Sequence, residues 1–166
     1  MKKIIFLLLI IGFASSCKCK QNIADNKKAM ENNCPENTLC GTEVLENSTM
    51  VIIQDVTNKP FYTIAEQEGT TVYRYKMSES VDSKYEDSVY REEIIFELSS
   101  DFKDGTISGK DILQTNALFG VFCFCKEKAG YYKINKGSIT KNGNTFSIEI
   151  PELVDGQKTT KLEMKF

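Results

Sequence analysis

The residues best equipped for chemistry are Cys17, Cys19, Cys34, Cys40, Cys123 and Cys125, in a 166-residue chain that contains no His and no Trp. Without His there are no His-based triads, no His general bases and no His-ligated metals. Thiols remain, and they can be nucleophiles, soft-metal ligands or halves of disulfides. As a four-thiolate site for Zn(II) or Cu(I), Cys34, Cys40, Cys123 and Cys125 have spacings of five and one intervening residues, unlike the usual two to four. C-x-x-C is absent, and a thiol set among Phe side chains is held protonated and inert. Structural disulfides fit better. On an extended strand Cys123 and Cys125 would share a face about 6.6 Å apart with parallel Cβ directions, a poor geometry for a bond. Two connectivities then remain open, 34–123 with 40–125 or 34–125 with 40–123. Either closes a loop of about 85–90 residues, which the chain-entropy model values at about 4–5 kcal/mol for the first bridge. Cys19, between Lys18 and Lys20, is left as the free thiol.

The start of the chain explains Cys17. Lys2 and Lys3 form a short cationic segment, residues 4–13 are an apolar run, and Ala14, Ser15 and Ser16 are small residues before the Cys. Ten apolar residues are too few to span a bilayer, which takes about 20, and they suit an export signal. This arrangement resembles the lipobox of bacterial lipoproteins, the substrates of lipoprotein signal peptidase, with Ala14 where that family most often has Leu. The resemblance implies a signal peptide over 1–16 and a Cys17 that becomes the new N-terminus, bearing a diacylglyceryl thioether and an acylated (palmitate-type) amine. Each buried CH₂ contributes about 0.8 kcal/mol, so two or three chains hold a protein on a membrane essentially permanently. Lys18, where an Asp would imply inner-membrane retention, implies the outer membrane. The absence of an acidic run after Cys17 points to its periplasmic face.

Cutting before Cys17 leaves 150 residues, enough for one domain with its own core. Loss of Lys2 and Lys3 leaves 19 basic against 23 acidic residues, a net charge of −4. Such a balance excludes a nucleic-acid binder, which needs a basic face to displace counterions. Residues 17–33 read as the lipidated end and a flexible polar tether. Residues 34–166 read as a single domain.

Strand patterns fill that domain. Residues 50–53 are a short apolar, β-branched run. Residues 70–77 alternate, with Tyr73, Tyr75 and Met77 on one side and Val72, Arg74 and Lys76 on the other. Residues 89–98 alternate too, setting Tyr90, Glu92, Ile94, Phe96 and Leu98 against Arg91, Glu93, Ile95 and Glu97. The polar stretch 78–88 between them reads as a long mobile loop. Residues 118–125 are apolar on both sides apart from Gly120, as in a strand covered on both faces. A closing meander is expected over 131–141, 144–150 and 159–166, with Asn142-Gly143 and Asp155-Gly156 at its turns. No long amphipathic helix is apparent. The prediction is an all-β antiparallel sandwich or flattened barrel behind a flexible N-terminal tether. Residues 130–166 resemble the end of small all-β bacterial lipoproteins of unknown function, which implies a fold more than an activity.

Glu92 and Glu93 are adjacent on a strand and face opposite sides, so they are no catalytic pair. Tyr62, Tyr73, Tyr75, Tyr90, Tyr131 and Tyr132 could line a ligand face or serve as ordinary cross-strand pairs. An exposed Tyr73, Tyr75 and Tyr90 patch is the partner surface the pattern suggests. The resulting expectation is a lipid-anchored envelope protein without catalytic residues, metal or cofactor. It would act by binding a small ligand or another envelope protein. Two rivals remain. One is an inhibitor of an envelope-directed hydrolase or protease, presenting 34–40 or 78–88 as a rigid loop. The other is a thiol-based metal or redox protein using the four core cysteines.

Overall fold

A computed structural model of the chain describes residues 34–79 and 89–165. The leader, Cys17, Cys19, the tether, most of the 78–88 loop and Phe166 lie outside the described residues. Two antiparallel sheets form the fold, as the alternation patterns require. The first has the strand order β1(Thr38–Gln54), β2(Pro60–Glu79), β3(Arg91–Ser99), β5(Leu118–Phe122), β6(Gly130–Lys133). The second has the order β4(Gly105–Ser108), β7(Ser138–Asn142), β8(Thr145–Glu149), β9(Lys161–Lys165). A 3-10 helix over Gly109–Thr115 leads from β4 back to β5, and among the described residues it is the only helical element.

The alternating residues of β2 and β3 face the sides the sequence assigns. Tyr75, Met77, Ile94, Phe96 and Leu98 turn inward and meet Ile139, Phe146, Ile148, Leu162 and Met164 of the second sheet. Phe96, Phe119 and Phe146 are fully buried there. Burying each such side chain contributes about 1.5–3 kcal/mol, and the ring pairs Tyr73–Phe96 (stacked) and Tyr73–Phe146 (tilted), 5.3 and 4.7 Å between centroids, add aromatic contacts. Val72, Ile95 and Leu118 turn to the opposite face and are buried as well, in a second, smaller cluster. Residues 118–121 are therefore covered on both faces, as their unbroken apolar run predicts.

What covers the outer face is the far half of the β1–β2 hairpin. Pairing runs from Thr38 opposite Glu79 to Gln54 opposite Pro60, and its register breaks between Glu46 and Ser48. Asn47 (φ 50°) and Gly69 (φ 77°) stand at that break in the left-handed region, so the ribbon bends there. The far half then folds back over its own sheet. Met50 packs on Val72, Ile95 and Leu118, and Lys59 Nζ donates to the carbonyls of Glu127 and Ala129 beside β6 at 3.1 and 2.7 Å. The hairpin thus acts as a strap across one face of the sandwich.

One expected strand and one expected turn come out differently. Residues 131–141 are not one strand but β6 in the first sheet and β7 in the second. The chain crosses between the sheets through buried Ile134 and turns at Gly137 (φ 124°), where a Cβ would stand 2.1 Å from the Glu149 carbonyl oxygen. The β7–β8 turn is one residue later than the Asn142-Gly143 motif suggests. Gly143 and Asn144 form its loop, with Gly143 (φ 58°) first, the position where such a two-residue turn needs positive φ.

The two turn glycines make a test. Gly137→Ala should cost at least about 2 kcal/mol, because it adds a backbone clash to a backbone conformation that L residues avoid. Gly143→Ala, with nothing within 4 Å of its Cβ, should cost about 1–2 kcal/mol from the left-handed conformation alone. Urea midpoints check the order; equal losses would contradict the crossover packing.

Candidate functional site

The cysteines pair locally. Cys34 bonds Cys40, with S–S 2.03 Å and Cα atoms 5.8 Å apart, and Cys123 bonds Cys125, with Cα atoms 5.1 Å apart. Both connectivities expected from the sequence are corrected. The argument against a 123–125 bond assumed an extended strand, but β5 stops at Phe122 and the chain bends through 123–125, which brings the two Cα atoms closer. At the other pair, a turn through Glu36 and Asn37 (φ 59°), closed by Thr38 N–H donating to the Pro35 carbonyl at 3.2 Å, returns the chain to Cys34. Cys40 lies opposite Met77, then Glu92, then Val121 across the sheet, so β2 and β3 separate the two pairs by about 14 Å. One metal cannot be shared across that gap. Among the described residues no group of three or more Cys, Asp or Glu side chains converges as a metal would require.

The suggested Tyr73, Tyr75 and Tyr90 surface is corrected too. All three face the inside of the sandwich. Tyr75 is 3% exposed, and its hydroxyl lies 3.2 Å from Cys40 Sγ. Tyr73 is clasped between Phe96 and Phe146. Tyr90 donates to Glu92 Oε1 at 2.6 Å. Tyr132 donates to the Lys128 carbonyl at 2.7 Å. The remaining two of the six tyrosines, Tyr62 and Tyr131, meet on the outer face and both bond Glu93, which lines a cleft.

That cleft, of about 380 Å³, lies at the end of the outer face that the strap leaves open. Its floor is part of one row across the sheet, Gly41, Lys76 and Glu93, each the register partner of the next, and the row continues to Gly120 beyond the cleft. The next row supplies Leu39, Ser78, Arg91 and Phe122. Gly41 leaves a gap in the side-chain layer, since nothing lies within 4 Å of where its Cβ would be. Gly120 admits the Tyr131 ring, which a Cβ would meet at 2.6 Å. Glycine inside a strand is the sequence signal for such a close approach, and it is the signal that could have found this site. Leu39, 65% exposed, and Phe122 supply apolar surface, and the Arg91 guanidinium stands 5.7 Å from the centre of the Phe122 ring.

The polar groups are fixed from beneath. Glu93, 6% exposed, accepts hydrogen bonds at Oε1 from Tyr62 (2.6 Å) and Tyr131 (2.9 Å), and no described residue donates to its Oε2. Burial, then the Glu93 charge, pushes the Tyr131 phenol far above its ordinary range; burial and the Glu93 hydrogen bond raise Tyr62. Arg74 bonds Glu43 and donates to the Tyr62 hydroxyl at 3.2 Å. Burial alone would lower the Arg74 guanidinium, but these bonds outweigh it and keep it above its usual value. Lys76 and Arg91 are exposed, and among the described residues neither has an ion-pair partner. The arrangement is two free cations and one half-occupied carboxylate beside an apolar wall, suited to holding a small polar ligand.

No family model, curated protein or solved structure matches the chain. No described helix is long and apolar enough to cross a membrane.

Two measurements follow from this geometry. Phenols raised in the folded state favour it at neutral pH and lose that contribution as pH rises past about 10, the unfolded value. Stability should therefore fall from pH 10 upward, and Tyr131→Phe should flatten the fall; an unchanged slope would contradict the buried Tyr131–Glu93 contact. Alkylation of the unreduced protein should leave Cys34, Cys40, Cys123 and Cys125 unlabelled, and reduction should add four labels. Peptide mapping should recover 34–40 and 123–125 as the linked pairs, and a 34–123 or 34–125 link would overturn the local pairing.

Proposed function

We propose that this chain is a lipid-anchored, non-catalytic binding module of a bacterial cell envelope, held to the outer membrane through Cys17 on its periplasmic face. The domain holds a small ligand in the outer-face cleft. The cleft's built geometry carries the reading. Its charged groups stand on paired strands of the first sheet, and Glu93 is oriented by two tyrosines. Sites positioned on rigid strands keep their geometry without a closing loop. Glu92 and Glu93 face opposite sides of β3, with Glu92 in the sandwich interior, so these two do not converge as a carboxylate pair. The local disulfides support a chain that matures in an oxidising compartment.

The anchor is tested in a bacterium fed labelled palmitate. The wild-type chain should take up label and partition into detergent, whereas Cys17→Ser should remain unlabelled with its leader uncut. Label on the variant, or none on the wild type, would remove the anchored reading.

A further inference from the structure

We infer that the cleft captures a short free peptide of about dipeptide length by both of its termini. This rests on the cleft being a ligand site, and it goes further by assigning the chemical class. Three observations carry it. Glu93 presents an acceptor oxygen, Oε2, that no described residue uses, while its Oε1 is occupied by both tyrosines. Lys76 is the direct cross-strand partner of Glu93, where opposite charges normally pair, yet the two form no ion pair, and Arg91 also lacks one among the described residues. Exposed Leu39 and half-buried Phe122 flank these charges with apolar surface.

A ligand that satisfies all three groups carries a cation for Glu93 Oε2, an anion for Lys76 and Arg91, and an apolar body between. A simple anion leaves the carboxylate unanswered, and an amine leaves two cations unanswered. The spacing selects length. Glu93 and Arg91 are two residues apart on β3, about 6.6 Å. An extended dipeptide spans at most about 6.6–7.2 Å. Its ammonium can meet Glu93 while its carboxylate lies toward Arg91 and Lys76, and its side chains reach Leu39 and Phe122. A volume of about 380 Å³ is at the small end of ligand sites. The Arg91–Phe122 contact positions the guanidinium beside the apolar wall, so one residue serves charge and shape together.

The test is ¹H–¹⁵N NMR titration of the full chain in detergent with three probes: Leu-Leu, N-acetyl-Leu-Leu and Leu-Leu-amide. Leu-Leu should shift the amides of Gly41, Lys76, Arg91 and Phe122. Each capped form should bind about tenfold or more weakly, as expected when a charge-assisted hydrogen bond is lost. Glu93→Gln keeps an acceptor for the tyrosines and should erase the penalty for acetylation. Lys76→Gln with Arg91→Gln should erase the penalty for amidation. Gly41→Val, unopposed by any atom within 4 Å, should fill the cleft and abolish the shifts. Equal binding of all three probes at the cleft would overturn the terminus-capture assignment while leaving a ligand site. Absence of shifts at these amides with every probe would overturn the site itself, independently of the palmitate result.

Discussion

Three carboxylates on β3 hold the molecule together. Glu92, 1% exposed, faces inward and accepts from the Tyr90 hydroxyl and from the backbone N–H groups of Lys158 and Thr159, fastening the loop before β9. Glu93 and Glu97 face outward. Glu97 accepts from the Met50 N–H at 2.6 Å, the Thr49 hydroxyl at 2.8 Å and Asn116 Nδ2 at 2.6 Å. Buried carboxylates persist only where donors replace lost water. These donors come from different parts of the chain, so satisfying β3 requires the strap, the 3-10 segment and the final loop to be in place together. One strand thereby couples both faces of its sheet. Truncating Glu92 or Glu97 would strand the backbone donors it serves, and truncating Glu93 the Tyr62 and Tyr131 hydroxyls, at a cost of about 1–3 kcal/mol for each donor left dry.

The cleft is a by-product of how the strap is anchored. Lys59 reaches the loop before β6, and Met50 sits over Val72, so the strap runs diagonally and leaves the Leu39 end of the face bare. A bare polar face would be ordinary solvent surface. Here Tyr62 on the strap and Tyr131 on β6 close around Glu93, 5.2 Å between ring centroids, and turn part of the face into a wall. Gly41 keeps the floor low beside Lys76, while Gly120 makes room for the Tyr131 ring beside Glu93. The element that stabilises the outer cluster therefore also fixes the carboxylate that the cleft presents.

The sequence made the faces of β2 and β3 legible, because a period of two assigns each side chain to one side whatever covers it. The doubly covered 118–121 run was legible for the same reason. The covering element was not. Folding back depends on a register break at Asn47 and on distant acceptors at Glu93 and Glu97, neither of which leaves a local pattern. Tyr73 and Tyr75 illustrate the limit. Their side was assigned correctly, but the side facing the second sheet cannot be told from the side facing solvent when both carry mixed residues. Residues 131–141 failed differently. Their apolar and polar pattern is strand-like throughout, and only the clash that any side chain would meet at Gly137 reveals the change of sheet. Beside the cleft, Gly120 was visible as a break in an apolar run, while Lys76, Arg91 and Glu93 within it looked like ordinary surface charges.

The cysteines change meaning once they are seen to pair locally. Bridges from residues 34 and 40 to 123 and 125 would have closed long loops and stabilised the domain by restricting the unfolded chain. The Cys34–Cys40 loop is short, with a sequence separation of 6, and the same model then gives about 2 kcal/mol. Its larger effect is on geometry. Cys40 stands between Leu39 and Gly41 on β1, with the Tyr75 hydroxyl against its sulfur on the inner side. Fixing Cys40 fixes the phase of the edge strand, so that Leu39 and Gly41 both turn outward into the cleft. Cys123–Cys125 does the equivalent at the other end of the row, holding the bend that directly follows Phe122. Each bridge thus sits beside one apolar wall of the cleft. Walls whose ordering is settled by folding and oxidation would lose little further freedom to an occupant, so the cost of ordering them falls on folding rather than on the proposed binding step.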